Sequence, residues 1–343
     1  MATNGRPTLV LSLDGGGIRG IIPAVVLQQL EDRIGKPAGD IFDLMLGTST
    51  GGILAGALSM RAEDGSARYT AADMVKLYSQ RGRDIFSRSL WRSISSVGGA
   101  TEPQYSVESL EGLLKDYMGD ADLKAAHPPV VLTSYDIERR EPYFFKTASA
   151  KARDNDNYLL RDAVRATSAA PTYFKPARFK SLSSIGAERA LVDGGVYVNN
   201  PAVLGYSEAV RDLGADPGNL VIVSIGTGVA TRPIPYEEAA DWGAVGWIQP
   251  LISVMMDGQS KAADDTLTQL LPGSHTGEGQ RYFRFDTRLD LALDDMDAAG
   301  AGNIQNLKDE ASQILDDQRY ELDRLIGLIK PDGSRNRDNA AES

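Results

Sequence analysis

The 343-residue chain has no cysteine, only two histidines and only three tryptophans. Without cysteine there is no disulfide and no sulfur ligand for a metal. The two histidines, His127 and His275, lie far apart in the sequence, so no metal and no cofactor is expected. No apolar run approaches the roughly 20 residues of a membrane span, and no charged-then-apolar leader opens the chain. The expectation is a cytoplasmic protein with at most transient, peripheral contact with a membrane surface. Basic residues are also short: 36 Lys and Arg stand against 47 Asp and Glu, a net charge of −11. That balance argues against nucleic acid as a partner and gives no general attraction to an anionic bilayer.

What is present is ample apolar material, 42% of the residues, enough for one large core. Strand-like runs at Leu9 to Leu13, Val130 to Thr133 and Leu220 to Ile225 alternate with helix-like segments. This pattern predicts an α/β fold with a largely parallel central sheet sandwiched by helices. Residues 8–330 read as one catalytic domain, with a disordered leader over 1–7 and a disordered tail over 331–343, rich in Gly, Asn, Ser and charge.

Gly47-Thr48-Ser49-Thr50-Gly51 stands between Phe42-Asp43-Leu44-Met45-Leu46 and the small-residue run Gly52-Ile53-Leu54-Ala55-Gly56-Ala57-Leu58. Strand, sharp turn and helix form the context in which a Gly-x-Ser-x-Gly turn exposes a serine nucleophile. Glycines flank the serine because its backbone is strained and side chains there would strike the neighbouring strand and helix. Acyl transfer through Ser49 is the expected chemistry.

Upstream, Thr8-Leu9-Val10-Leu11-Ser12-Leu13 breaks into Asp14-Gly15-Gly16-Gly17-Ile18-Arg19-Gly20. A helix should follow, burying Ile22, Val25, Val26, Leu27 and Leu30. Three glycines at such a junction leave backbone amides free to converge on an anion, aided by the helix N-terminus. For an acyl-transfer enzyme, Gly15, Gly16 and Gly17 would form an oxyanion hole, each donor worth on the order of 3 kcal/mol. Gly15, Gly17 and Gly20 also spell the dinucleotide fingerprint of a nicotinamide-dependent oxidoreductase. That fold needs an acidic residue closing the second strand, and here the strand closes on Gly47-Thr48-Ser49. Asp14 reads as a turn and helix-start residue, with a general base as its alternative role.

Ala190-Leu191-Val192-Asp193-Gly194-Gly195 delivers an aspartate into a two-glycine turn. Such an aspartate can serve as general base, although an Asp-Gly turn without chemistry is the commoner use of the dipeptide. A conventional triad would need a histidine. His127, before Pro128-Pro129, reads as a surface turn residue. His275 follows in the Ser, Asp, His order of α/β-hydrolases but sits in a polar loop that reads as solvated.

Together, the glycine-rich Asp14-Gly15-Gly16-Gly17-Ile18-Arg19-Gly20, the elbow Gly47-Thr48-Ser49-Thr50-Gly51 and Asp193-Gly194-Gly195 resemble the patatin-like phospholipases. Further stretches are similar to that family: Ile21-Ile22-Pro23, Ala166-Thr167-Ser168-Ala169-Ala170-Pro171, Asn199-Asn200-Pro201 and Ser224-Ile225-Gly226-Thr227-Gly228. The resemblance implies a three-layer patatin-like architecture and a serine lipid acyl hydrolase of phospholipase A or lysophospholipase type. It implies Ser49 as nucleophile, Asp193 as proton acceptor and the amides of Gly15, Gly16 and Gly17 as oxyanion hole. Arg19, Gly20, Gly47, Gly51, Gly194 and Gly195 would support these motifs. Some bacterial members are antiviral effectors switched on by a cyclic nucleotide, which the resemblance leaves as an alternative. A free aspartate titrates near 3.9, about three units below neutrality, so burial is expected to raise Asp193.

Two segments suit a lipid surface. Ser87-Arg88-Ser89-Leu90-Trp91-Arg92-Ser93-Ile94 mixes apolar residues with arginines and is expected as an exposed flap. The run from Trp242 to Met256 holds Trp242 and Trp247 and reads either as a helix packed in the core or at a subunit contact, or as an interfacial helix.

Overall fold

The structure, a computed structural model, describes residues 6–86, 107–271 and 279–330. β1 (Thr8–Leu13) leads through the glycine turn into α1 (Ile21–Ile34) and the short α2 (Ala38–Ile41). β2 (Leu44–Gly47) passes directly into α3 (Thr50–Leu58), and α4 (Ala71–Phe86) and α5 (Val107–Met118) follow. β3 (Val130–Asp136) and β4 (Glu141–Lys146) pair, then come α6 (Thr147–Ala152), α7 (Leu160–Thr167), β5 (Ala177–Lys180) and β6 (Glu188–Asp193). The remaining elements are α8 (Ala202–Asp212), β7 (Leu220–Ile225), α9 (Tyr236–Ala239), α10 (Ala244–Leu270), β8 (Tyr282–Phe285), α11 (Ala301–Asp317) and α12 (Arg319–Ile329).

The strands form one sheet in the order β5-β6-β3-β2-β1-β7-β8, with β4 also paired to β3. β3, β2, β1, β7 and β8 are parallel, whereas β4 and β6 run antiparallel to β3, and β5 antiparallel to β6. The sheet is therefore mixed and mostly parallel, in keeping with the α/β expectation. Successive residues of a strand face opposite sides, and here both sides are apolar. Leu9, Leu11, Leu13, Val221 and Val223 enter one buried cluster with α1, α3, α4 and α11, while Val10, Leu220 and Ile222 enter a second with α8. Three layers result.

On α1, Ile22, Val26, Leu27 and Leu30 are buried, and Val25 is half-buried at the edge of the same cluster. Buried Glu31 ties neighbouring helices to α1, accepting the amides of Ala38 (2.7 Å) and Ala71 (2.9 Å) at the starts of α2 and α4. An anion is favourable at those amide-rich ends. Two residues of the expected leader are held: Pro7 is buried, and the Arg6 guanidinium pairs with Asp43 at 2.5 Å. The segment around Trp91 and the loop with His275 lie outside the described residues. The run from Trp242 to Met256 is helical from residue 244 onward, but the core reading fails for most of it. Met256 is buried, whereas Val245, Trp247, Ile248, Leu251, Val254 and Met255 are exposed.

Candidate active site

Parallel strands bring their C-terminal ends to one edge, and the loops after β1, β2 and β7 meet there. In open α/β sheets ligands bind outside these ends, where the strand order reverses direction. β1 is such a point, with β2 on one side and the much later β7 on the other.

The loop after β2 is the glycine-flanked elbow expected from the sequence. Ser49 has φ 55° and ψ −123°, a left-handed backbone in a non-glycine residue, which costs of order 1–3 kcal/mol. A side chain at Gly51 would place Cβ 2.2 Å from the Leu13 carbonyl oxygen, and at Gly47 the same distance from that of Gly51. The tight turn thus requires both glycines, as the sequence pattern predicted. The Ser49 amide donates to Thr167 Oγ1 at 2.9 Å and the Ser168 hydroxyl to the Ser49 carbonyl at 3.4 Å. These two residues fix the strained turn from the end of α7.

Asp193 arrives from the other direction. Gly47 is level with Leu132 on β3, and β6 runs antiparallel to β3 until Asp193 stands opposite Ser134. The last residue of β6 therefore reaches the same edge as the elbow. Gly194 makes the approach possible, since a Cβ there would lie 2.1 Å from Thr133 Oγ1. The Asp193 carboxylate accepts the Gly195 amide at 2.8 Å and lines the same cavity as Ser49. Burial pushes its pKa from 3.8 up to about 7, against the lowering effect of the nearby Ser49 hydroxyl and the Gly195 amide.

The glycine loop departs in part from expectation. Gly15 is no free donor: its amide is bonded to the Asn199 carbonyl at 3.2 Å. Its own carbonyl accepts Thr227 Oγ1 at 2.8 Å and Asn199 Nδ2 at 3.4 Å. Gly15 anchors the loop rather than receiving an anion. Gly17, at φ 61°, lines the cavity that holds Ser49 and Asp193. Thr50, the first residue of α3, lines it too, and its amide has no helical acceptor upstream. The Arg19 guanidinium is buried and points away from this cavity, with Nε donating to the Gly16 carbonyl (3.3 Å) and Nη1 to that of Gly228 (3.2 Å). Its role is to lace the loop after β1 to the loop after β7. Gly20 packs against the Thr50 hydroxyl, which is hydrogen-bonded to Tyr78.

Asp14 is neither a helix cap nor a base for Ser49. The turn after it begins at Gly16 with no side-chain cap. Its carboxylate is held by Arg284 through two hydrogen bonds of 3.0 and 2.7 Å and by the Ser260 hydroxyl at 3.3 Å. Arg284 also bonds Asp286 at 2.6 Å. Burial raises Asp14 to about 6, with Arg284 opposing. Nothing local in the sequence marks Arg284, which is 270 residues away from Asp14. His127 is exposed, its amide bonded to the Ser59 carbonyl, and lies in the surface turn that its position before two prolines predicted.

The cavity over Ser49 and Asp193 has a volume of about 170 Å³. Its walls are Ile53, Ile85, Phe86, Leu110, Tyr173 and Phe174, closed on one side by Ile252, Met255 and Met256 of α10. A hydroxyl and a carboxyl at the bottom of an apolar cleft suit a substrate with a reactive polar bond next to a long apolar chain. Among the described residues no helix is long and apolar enough to cross a membrane.

Known proteins give the geometry its relatives. Patatin-11 of Solanum tuberosum is 31% identical over 339 residues, covering 92% of this chain and 85% of its own. Patatin-like protein 2 of Arabidopsis thaliana is 30% identical over 343 residues, covering 91% and 84%. The solved structure of VipD from Legionella pneumophila matches with a TM-score of 0.37 and 15% identity, over 91% of this chain and 67% of that one. The family model described as patatin-like phospholipase matches residues 11–204, a span running from β1 through the elbow and Asp193 into α8. The chain belongs to the patatin-like phospholipase family.

Proposed function

We propose that this protein hydrolyses the fatty-acyl esters of phospholipids or lysophospholipids through a Ser49–Asp193 dyad, with residues 8–330 as the catalytic domain. The observation that carries this reading is that Ser49 and the buried carboxyl of Asp193, which titrates at about 7, line one apolar cavity. A base works best when its pKa lies near the working pH. As the Ser49 oxygen attacks the ester carbonyl, Asp193 takes the hydroxyl proton. The negative oxygen of the tetrahedral intermediate is held by amides at Gly16, Gly17 and Thr50. Collapse expels the alcohol, which receives the proton back from Asp193, and leaves an acyl-Ser49 ester. Asp193 then deprotonates a water that attacks this ester, and the fatty acid leaves as Ser49 regains its proton. The acyl chain occupies the apolar cleft.

The test is hydrolysis of a short-chain nitrophenyl ester and of phosphatidylcholine vesicles, each with and without a panel of cyclic nucleotides, together with labelling by a fluorophosphonate. Turnover by the wild type and its loss in Ser49→Ala, with the label on Ser49 alone, are expected. Activity seen only with a nucleotide would select the gated-effector reading. Labelling of another serine, or full activity in Ser49→Ala, would overturn the mechanism.

A further inference from the structure

α10 divides into two unlike halves. From residue 244 to 256 it carries no charged side chain, and from Asp257 onward it has Asp257, Lys261, Asp264 and Asp265. In the uncharged half, Trp247, Ile248, Leu251, Val254 and Met255 recur at the three- and four-residue spacing of one helix face. Such a stripe on a helix of a soluble protein normally faces a core. Here it faces solvent: Val245 is 79% exposed, Ile248 46%, Leu251 47% and Val254 48%. Contiguous exposed apolar surface of this kind marks an interaction site.

What it interacts with is indicated by its other edge. Ile252, Met255 and Met256, on the same turns, form a wall of the cavity over Ser49. The apolar stripe and the apolar cleft are thus one continuous surface, wrapped around the helix. We propose that the exposed face of the first half of α10 docks on a lipid bilayer of zwitterionic or neutral headgroups and brings the mouth of the cleft to the plane where acyl chains leave the membrane. The proposal rests on the lipid-hydrolase reading above. It names how the substrate is presented and which surface is chosen.

The headgroup preference follows from charge. No Lys or Arg lies between residues 233 and 260, while Glu237, Glu238 and Asp241 precede the stripe and Asp257 follows it. Arg232, just before, is paired with Asp294 and Asp295. The chain as a whole carries −11. Docking is therefore apolar, not electrostatic. It should resist salt, because screening acts on charge pairs and leaves buried apolar area unaffected. An anionic bilayer should bind less well.

The experiment separates docking from catalysis by using Ser49→Ala as the background for binding. This protein should float with phosphatidylcholine vesicles, equally at 0.1 and 0.5 M salt, and at least threefold less with vesicles containing half phosphatidylglycerol. Adding Val245→Glu, Ile248→Glu and Leu251→Glu should reduce flotation at least tenfold. In the active background the same triple substitution should lower hydrolysis of phosphatidylcholine vesicles at least tenfold. Hydrolysis of a soluble nitrophenyl ester should stay within twofold. A milder Ile248→Ser, Leu251→Ser protein, with an unchanged melting temperature, should be intermediate, which guards against misfolding of the triple variant. Vesicle binding that survives the substitutions, or that strengthens with anionic lipid, would overturn the proposal. So would a wild type that ignores vesicles but forms a dimer dispersed by the substitutions, which would make the face a contact between copies. Failure of the soluble ester assay in the wild type, with flotation intact, would instead count against the catalytic reading alone.

Discussion

Asp193→Asn should remove activity and add stability, and the two effects have one cause. The folded carboxyl titrates at about 7 and an unperturbed one at 3.8. Between those values the folded chain keeps a proton that the unfolded chain has released, so rising pH favours unfolding until pH has passed about 7. Relative to an uncharged side chain, the linkage cost is about 2 kcal/mol at pH 5 and about 4 kcal/mol at pH 8. Asparagine does not titrate, can still accept the Gly195 amide through Oδ1, and can donate to the Ser49 oxygen. The stability of the variant relative to wild type should therefore improve by about 2–3 kcal/mol between pH 5 and pH 8. At about 2.1 cal/mol/K of unfolding entropy per residue, that is about 3–4 °C in Tm for a chain of this size. Calorimetry of both proteins at the two pH values measures the shift, and ester turnover should fall by about 10²- to 10⁴-fold. In the wild type kcat/KM should rise about tenfold per pH unit below 7 and level off above it, since the ionised carboxylate is the base. A Tm difference independent of pH would mean that Asp193 is not held in the protonation range of its burial. Retained turnover would mean that it is not the base.

Substitutions at Gly17 and Arg284, each with a control, test the scaffold around the proposed dyad. Gly17→Ala puts a Cβ on a residue at φ 61° and 2.2 Å from the Met296 carbonyl oxygen. Its displaced amide should cost about 10²- to 10³-fold in kcat with KM little changed, whereas Gly35→Ala, at φ 76° with open space around it, should lower Tm and leave turnover intact. Arg284→Gln leaves the carboxylates of Asp14 and Asp286 without their cation and should cost about 3–5 kcal/mol by denaturant unfolding; Arg284→Lys should recover only part, because an ammonium cannot hold the Asp14 carboxylate with two parallel bonds. An unchanged midpoint in Arg284→Gln would mean the network under the glycine loop is dispensable.

What could be read from the sequence was whatever is local. β1, the elbow, α3 and the turn after Asp193 are each specified within a few residues, by apolar runs that end in glycines where backbones must approach closely. The buried face of α1 followed from periodicity, and the mostly parallel sheet from the alternation of apolar strand-like runs with helix-like segments. Less legible were contacts that only the sheet order creates. Thr167 as acceptor of the Ser49 amide, and Asn199 and Thr227 as anchors of Gly15, lay in stretches marked by family resemblance without a role attached. Arg284 had no signal, since its partner Asp14 is a strand order away. The glycine loop misled in one respect: three glycines in a row suggest three free amides, yet the Asn199 carbonyl takes that of Gly15. The run from Trp242 to Met256 stayed open between a packed helix and an interfacial one, because an apolar helical stripe looks the same in sequence whatever lies opposite it.

Why an aspartate can act as the base in the proposed mechanism is answered by comparing the buried carboxyls of this one fold. Asp136, Asp14 and Asp193 are all almost fully withdrawn from solvent, and burial alone would raise each of them. Asp136 accepts two backbone amides and pairs with Arg139 and Arg189, and these outweigh burial and hold it below the usual carboxylate range. Asp14 has a single cation, Arg284, shared with Asp286, and settles at about 6. Asp193 accepts one backbone amide, shares its cavity with Ser49 and has no cation within ion-pair distance among the described residues, and it reaches about 7. Position in the fold brings Asp193 to the cavity of Ser49, and its sparse partners give it the pKa that the proposed base needs at neutral pH. A cation placed beside it would return it toward the range of Asp136, where it would stay ionised and hold protons too weakly to take one from a serine. The absence of a cation beside Asp193 among the described residues is thus as much a part of the candidate site as the residues that touch Ser49, and the apolar walls of the cavity are what keep charge away.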